Sequence, residues 1–173
     1  MDEPLTEVWR FFPTLDPQVD FFLSRDLDSA VTLREVEAVE EWLQSEKTLH
    51  VMRDHPFHSE PMLGGLWGAR LTKSRGAWKS IWTAIMNDPL SGSSRTSYGP
   101  DQTLLRRHVW GKLLGGVMQH DSYHCSRWPE GSLGFPSHRR NSSDNFVGGY
   151  RGGKPVWIEC PQKCRREETW RFC

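Results

Sequence analysis

The chain has 173 residues, with 22 Lys+Arg against 22 Asp+Glu, 36% hydrophobic residues, nine Trp and four Cys. That length suits one ordinary domain, and the zero net charge excludes the broad basic face of a nucleic-acid binder, leaving Arg pairs only as local sites. A mean hydropathy of −0.64, with no apolar run near the 18 or so residues of a span, excludes a transmembrane helix.

In chain order, Met1-Asp2-Glu3-Pro4 is acidic and Trp9 to Phe12 is too short for an h-region, so no signal peptide is expected. Residues 19–23, Val-Asp-Phe-Phe-Leu, read as a buried strand that gives way to the polar cluster Arg25-Asp26-Leu27-Asp28-Ser29. Thr32 and Glu35 make a capping box, and Leu33, Val36, Val39, Trp42 and Leu43 recur at helical spacing, predicting a helix over 32–45. Residues 47–52 read as a second strand, ending at Arg53-Asp54-His55-Pro56. Strand, helix and strand in this order have the spacing of a βαβ unit, whose ligands gather beyond the carboxyl ends of the strands. Both charged clusters lie at those ends.

The run Pro61 to Ala69 is apolar and glycine-rich, which allows close approach of backbone to a ligand or another strand. Trp78, Ile81, Trp82, Ile85 and Met86 mark a second amphipathic helix, Asp88 to Pro100 a loop, and 102–114 a third helix. From Asp121 onward the chain is turn-rich without clear periodicity. It carries Cys125, Cys160, Cys164 and Cys173 and the sequon Asn141-Ser142-Ser143. An even cysteine count gathered in a weakly apolar tail reads as two disulfides of unspecified pairing, a habit of oxidising compartments. The expected address is the secretory pathway (Golgi lumen) or the exterior, although no targeting segment is seen.

Asp26 and Asp28 sit two residues apart at a strand end, where both carboxylates can face one hard cation such as Mn²⁺ or Mg²⁺; otherwise they form a solvated acidic turn. His120 and His124, four apart, would share a helix face and could hold zinc with Cys125. Asp101 is either the N-cap of its helix or a site residue. Arg25 and Arg53 either bind phosphate or pair with nearby acids.

In this order the pieces resemble the metal-dependent GT-A glycosyltransferases, nearest to family 8. Arg25-Asp26-Leu27-Asp28-Ser29 resembles their D-x-D segment, and Met62-Leu63-Gly64-Gly65-Leu66-Trp67 the glycine-bearing strand that lines the donor sugar. Tyr98-Gly99-Pro100-Asp101-Gln102-Thr103-Leu104-Leu105 resembles the later D-Q segment, and His120-Asp121 stands where a late metal-binding histidine falls. The resemblance implies an α/β fold, a partial GT-A (Rossmann-like) mixed sheet flanked by helices over 1–124, with a disulfide-bearing irregular extension over 125–173 packed on it. It implies transfer of a sugar from a nucleotide-sugar, a UDP-sugar, to a glycan acceptor. Asp26, Asp28 and His120 would hold Mn²⁺, and Arg25, Asp54, Gly64, Gly65 and Gln102 would contact the donor. Asp101 or Asp121 would be the base.

A GT-A fold ordinarily builds a nucleotide-binding half before its D-x-D, whereas here that motif arrives at residue 26. The chain is thus expected to match the back portion of such a fold, with an exposed sheet edge that a partner covers. A non-catalytic glycan- or protein-binding module, and a small zinc-stabilised domain, are the alternatives.

Overall fold

The computed structural model describes residues 6–91, 99–139, 146–150 and 158–173. A short helix α1 (Thr6–Trp9) and a 3₁₀ turn (Phe12–Leu15) lead into strand β1 (Phe21–Arg25). β1 starts two residues later than the sequence suggests, because the Val19 carbonyl accepts from Arg75 Nη2 at 2.9 Å instead of joining a ladder. Helix α2 (Leu33–Gln44) begins where its capping box requires, the Thr32 hydroxyl accepting from the Glu35 N–H at 3.2 Å. Strands β2 (Leu49–Arg53) and β3 (Leu66–Arg70) follow, then helix α3 (Arg75–Met86). The third expected helix is a continuous helical run: α4 (Pro100–Leu104), a π-helical stretch (Leu105–Trp110) and α5 (Gly111–Leu113). Strand β4 (Val117–Asp121) completes the sheet.

The sheet order is β1-β3-β2-β4, with β3 antiparallel to both of its neighbours and β2 parallel to β4. β1-α2-β2 is therefore a parallel crossover, but with β3 inserted between its two strands. This topology brings the carboxyl ends of β1, β2 and β4 to the same sheet end as the start of β3. Asp26, Asp54, Ser122 and the Gly64-Gly65 pair that precedes β3 all gather there.

Side chains alternate between the two sheet faces. One face presents Phe22, Leu49, Val51, Trp67, Ala69 and Val117 to Trp78, Ile81 and Ile85 of α3 and to Leu104, Leu105 and Val109 of the helical run, forming the main core. Trp67 and Trp78 stack there with centroids 5.5 Å apart. The other face meets α2. Trp42, fully buried, stacks on His50 at 5.3 Å and touches Phe21 edge-on at 6.0 Å. Gly68 is needed for this packing, since a Cβ there would stand 2.7 Å from Leu23 Cδ2 and 3.1 Å from both the Phe22 carbonyl and Trp42.

β1 lies at the sheet edge. With α2 it leaves a shallow apolar groove lined by Phe21, Leu23, Val39, Trp42 and Leu43. A second cluster joins Ala38, Met52 and Leu66 to Phe135 and Val147 of the C-terminal region. That region is irregular and carries two disulfides, Cys125–Cys164 and Cys160–Cys173. By chain-entropy reasoning the loops they close, 39 and 13 residues, are worth about 4 and about 3 kcal/mol. The sequon at 141–143 and Tyr98 lie outside the described residues. Among the described residues no helix is long and apolar enough to cross a membrane.

Candidate functional site

A cavity of about 770 Å³ opens at the sheet end where β1 and β2 finish and β3 begins. Its lining includes Arg10, Asp26, His55, His58, Glu60, Gly64, Gly65, Asp101 and Gln102. Five residues singled out in the sequence thus converge: Asp26 from the end of β1, Gly64 and Gly65 ahead of β3, and Asp101 and Gln102 in the first turn of α4.

The contact between them is close. A Cβ at Gly65 would fall 2.4 Å from Asp26 Cγ and Oδ2, and one at Gly64 would fall 2.1 Å from Asp101 Oδ2 and 3.2 Å from Arg10 Nη1. The two glycines let two carboxylates lie against main chain. Arg10 Nη1 donates to Asp26 Oδ1 at 2.9 Å, and Asp101 Oδ1 accepts the Gln102 N–H at 2.8 Å. Ser24, buried under this corner, donates to the Gly64 carbonyl at 2.6 Å and fixes the glycine turn to β1.

The other sequence-derived candidates lie elsewhere. Asp121 is wholly buried: Arg53 Nε donates to its Oδ2 at 2.5 Å, and its Oδ1 accepts from the N–H groups of Tyr123 and His124. It is placed to hold the β4 exit turn, and as a base it would need an approach that the packing closes. Asp54 is also wholly buried, chelated by Arg34 through two 2.9 Å bonds and accepting the Val147 N–H at 2.9 Å. The Arg34 charge holds its carboxyl below the ordinary value in spite of burial, which acts the other way. Arg34 additionally donates to the Ser137 and Cys173 carbonyls, so this pair fastens the C-terminal region to α2. Arg25 turns from the cavity to Glu35 at 2.8 Å, and to the Ser29 and Ala30 carbonyls.

The expected metal set of Asp26, Asp28 and His120 is not brought together. Among the described residues no three His, Cys, Asp or Glu side chains converge on a cation position. Asp28 is exposed and is not among the residues lining the cavity, Asp26 already faces the Arg10 cation, and His120 is fully buried. Among the described residues, those present do not fit a protein cage for a divalent cation. The zinc alternative meets the same difficulty: His120 lies on β4, whereas His124 sits in the following turn with Nε2 donating to the Pro56 carbonyl at 2.9 Å.

His120 instead belongs to an internal chain. His50 Nε2 lies 2.8 Å from His120 Nδ1, and His120 Nε2 lies 3.2 Å from Glu41 Oε2. Burial pushes both imidazoles below the ordinary histidine value, so both are neutral. Neutral His120 then accepts at Nδ1 and donates from Nε2. Glu41 is held down to about 2, first by the His120 hydrogen bond and then by Arg166, whose Nη2 reaches both its oxygens at 2.9 and 2.7 Å. A carboxylate with a lowered folded-state value stabilises above its unfolded value and loses that contribution as pH falls through the folded one. The melting temperature of the wild-type chain should therefore exceed that of Glu41→Gln by a constant margin above pH 5 or so, and the gap should close between pH 4.5 and about 2. Parallel melting curves over that range would refute the stabilising contacts of Glu41 with His120 and Arg166.

No sequence signal marks Arg10, which reaches the cavity only because the α1 segment packs beside α4, or His58 and Glu60. No family model and no curated protein matches the chain. A solved structure, a glycosyltransferase involved in the glycosylation of the major capsid of PBCV-1, is similar at a TM-score of 0.47 and 17% identity. The match covers 69% of this chain and 61% of that one.

Proposed function

We propose that the chain is a sugar-transferring domain of the GT-A kind, whose cavity takes the sugar of a diphosphate-activated donor. The observation that supports this reading best is the seating of the Asp26 and Asp101 carboxylates on the Gly64–Gly65 backbone. It joins three separately recognised motifs in one cavity, beyond the carboxyl ends of the strands. A volume of about 770 Å³ is of small-ligand size. Carboxylates, a guanidinium, an amide and two imidazoles are the directional partners that ring hydroxyls need, and Phe57 at the rim, 86% exposed, offers an apolar ring face.

In the reaction the bond from the anomeric carbon to the diphosphate oxygen breaks with its electron pair leaving on the diphosphate. A bond to the acceptor oxygen forms, and the acceptor proton passes to a carboxylate, for which Asp101 is the cavity candidate. The donor is read as a UDP-sugar and the acceptor as a glycan. Two disulfides suit an oxidising, secretory setting.

Calorimetric titration of the folded chain with UDP- and GDP-sugars, with and without Mn²⁺, tests the reading. Binding of at least one donor is expected, weakened about tenfold or more by Asp101→Asn. Failure of every donor to bind folded protein under both conditions removes it.

A further inference from the structure

The cavity is lined by two chemically different groups of residues. In one, the Asp26 and Asp101 carboxylates lie against Gly64 and Gly65. The other is His55 and His58, from the segment that follows β2. The Phe57 N–H donates to His55 Nδ1 at 3.1 Å, and the Asp54 N–H donates to His58 Nδ1 at 3.2 Å. A ring nitrogen that accepts a hydrogen bond carries no proton, so each neutral imidazole holds its hydrogen on Nε2. The main chain therefore dictates both tautomers. Among the described residues neither Nε2 has a protein partner.

The rings are also held as a pair, 5.5 Å apart, with Phe146 packed on both at 4.5 and 5.7 Å. Burial pushes His58 down to about 4 and, together with the Arg139 charge, lowers His55. Both stay uncharged at neutral pH, so neither forms an ion pair with the carboxylates Asp26, Glu60 and Asp101 of the same cavity. An imidazole already protonated at Nε2 and engaged at Nδ1 is a fixed donor and a poor base. Behind His55, Arg139 is 2% exposed with Nε and Nη1 unpartnered among the described residues, and it adds positive potential on this side.

We propose that His55 and His58 form a phosphoryl-oxygen subsite, their Nε2–H groups donating to the anionic oxygens of a phosphate ester or diphosphate whose sugar lies against Asp26 and Asp101. The proposal rests on the sugar-donor reading for the second half of that statement, and it orients the ligand in the cavity. The Arg10 guanidinium of the same cavity is engaged by Asp26, whereas the two Nε2–H groups of His55 and His58 have no partner among the described residues and are free to receive phosphoryl oxygens.

Long-range ¹H–¹⁵N spectra of the histidine rings, recorded during titration with pyrophosphate, glucose 1-phosphate and methyl glucoside, test this. Both free rings should show the Nε2–H tautomer, and the two phosphate probes should shift the Nε2 signals of His55 and His58. The double variant His55→Ala/His58→Ala should lose phosphate affinity about tenfold or more. His55→Gln/His58→Gln, which keeps an N–H near the Nε2 position, should retain more of it. Pyrophosphate binding without glucose 1-phosphate binding would identify the diphosphate of a nucleotide as the source, and the reverse a sugar phosphate. If the alanine variant fails to fold, the wild-type ring shifts decide. Unshifted rings, unchanged affinity in folded variants, or no binding of either phosphate probe overturns the subsite. Phosphate binding through both histidines with no binding of methyl glucoside or of any nucleotide-sugar would leave the subsite standing and remove the sugar-donor reading.

Discussion

Arg53→Met is expected to destabilise the fold by about 3–5 kcal/mol, a large part of the 5–15 kcal/mol of a typical domain. Arg53 is fully buried on β2 and donates to Asp121 Oδ2 at 2.5 Å, the Pro61 carbonyl at 2.6 Å and Gln119 Oε1 at 2.6 Å. Its removal strands the Asp121 carboxylate among groups that cannot hydrate it, and breaks the tie between β2, β4 and the segment leading to Gly64. The pair is costly to break and modest in net worth, because two charges were desolvated to make it. The double variant Arg53→Met/Asp121→Leu should recover part of the loss, but not all of it because the Tyr123 and His124 N–H groups lose their acceptor; urea unfolding of the single and double variants will read the difference. An Arg53→Met midpoint equal to wild type would refute this role. A catalytic Asp121 predicts the opposite pattern, with stability kept and turnover lost.

Gly65→Ala should remove ligand binding by about tenfold or more while changing stability by less than about 1 kcal/mol. The new Cβ would overlap the Asp26 carboxylate, which must swing away and give up Arg10. Asp26 is exposed, with its side chain at 47%, so the displaced group finds water and the fold loses only a surface ion pair. Gly68→Ala is the matched control. Its Cβ meets the Phe22 carbonyl and Trp42, which cannot move cheaply, so that variant should lose stability rather than affinity. Calorimetry beside unfolding curves for both variants separates the two effects. Wild-type affinity in Gly65→Ala would mean that the ligand does not depend on where the Asp26 carboxylate stands.

Much of the scaffold was legible because its signals are local. Thr32 and Glu35 fixed the start of α2, the aromatic run at Phe21 announced β1, and the periodic Trp and Ile residues marked α3. β4 was missed for a physical reason. Its sequence, Val-Met-Gln-His-Asp, has polar groups where a strand ought to be apolar, and they are buried only because Arg53 and His50 stand opposite to satisfy them. The same blindness applied to the site. Asp26, Asp101 and the glycine pair carry motif signals, whereas Arg10 and His58 depend on which loops share a sheet end.

The sequence by itself determined the helix start, two of the strands, the turn-rich cysteine tail and four motif segments, all properties of residues a few positions apart. Only the tertiary structure decided which acids are available. Asp26 and Asp101 reach the cavity, while Asp54 and Asp121 are enclosed by Arg34 and Arg53. In a chain of zero net charge, sign alone cannot sort carboxylates into ligand-binding and structural ones. The sorting follows from desolvation: a buried carboxylate persists as an ion only beside its cation, and the partners that supply it come from distant parts of the chain.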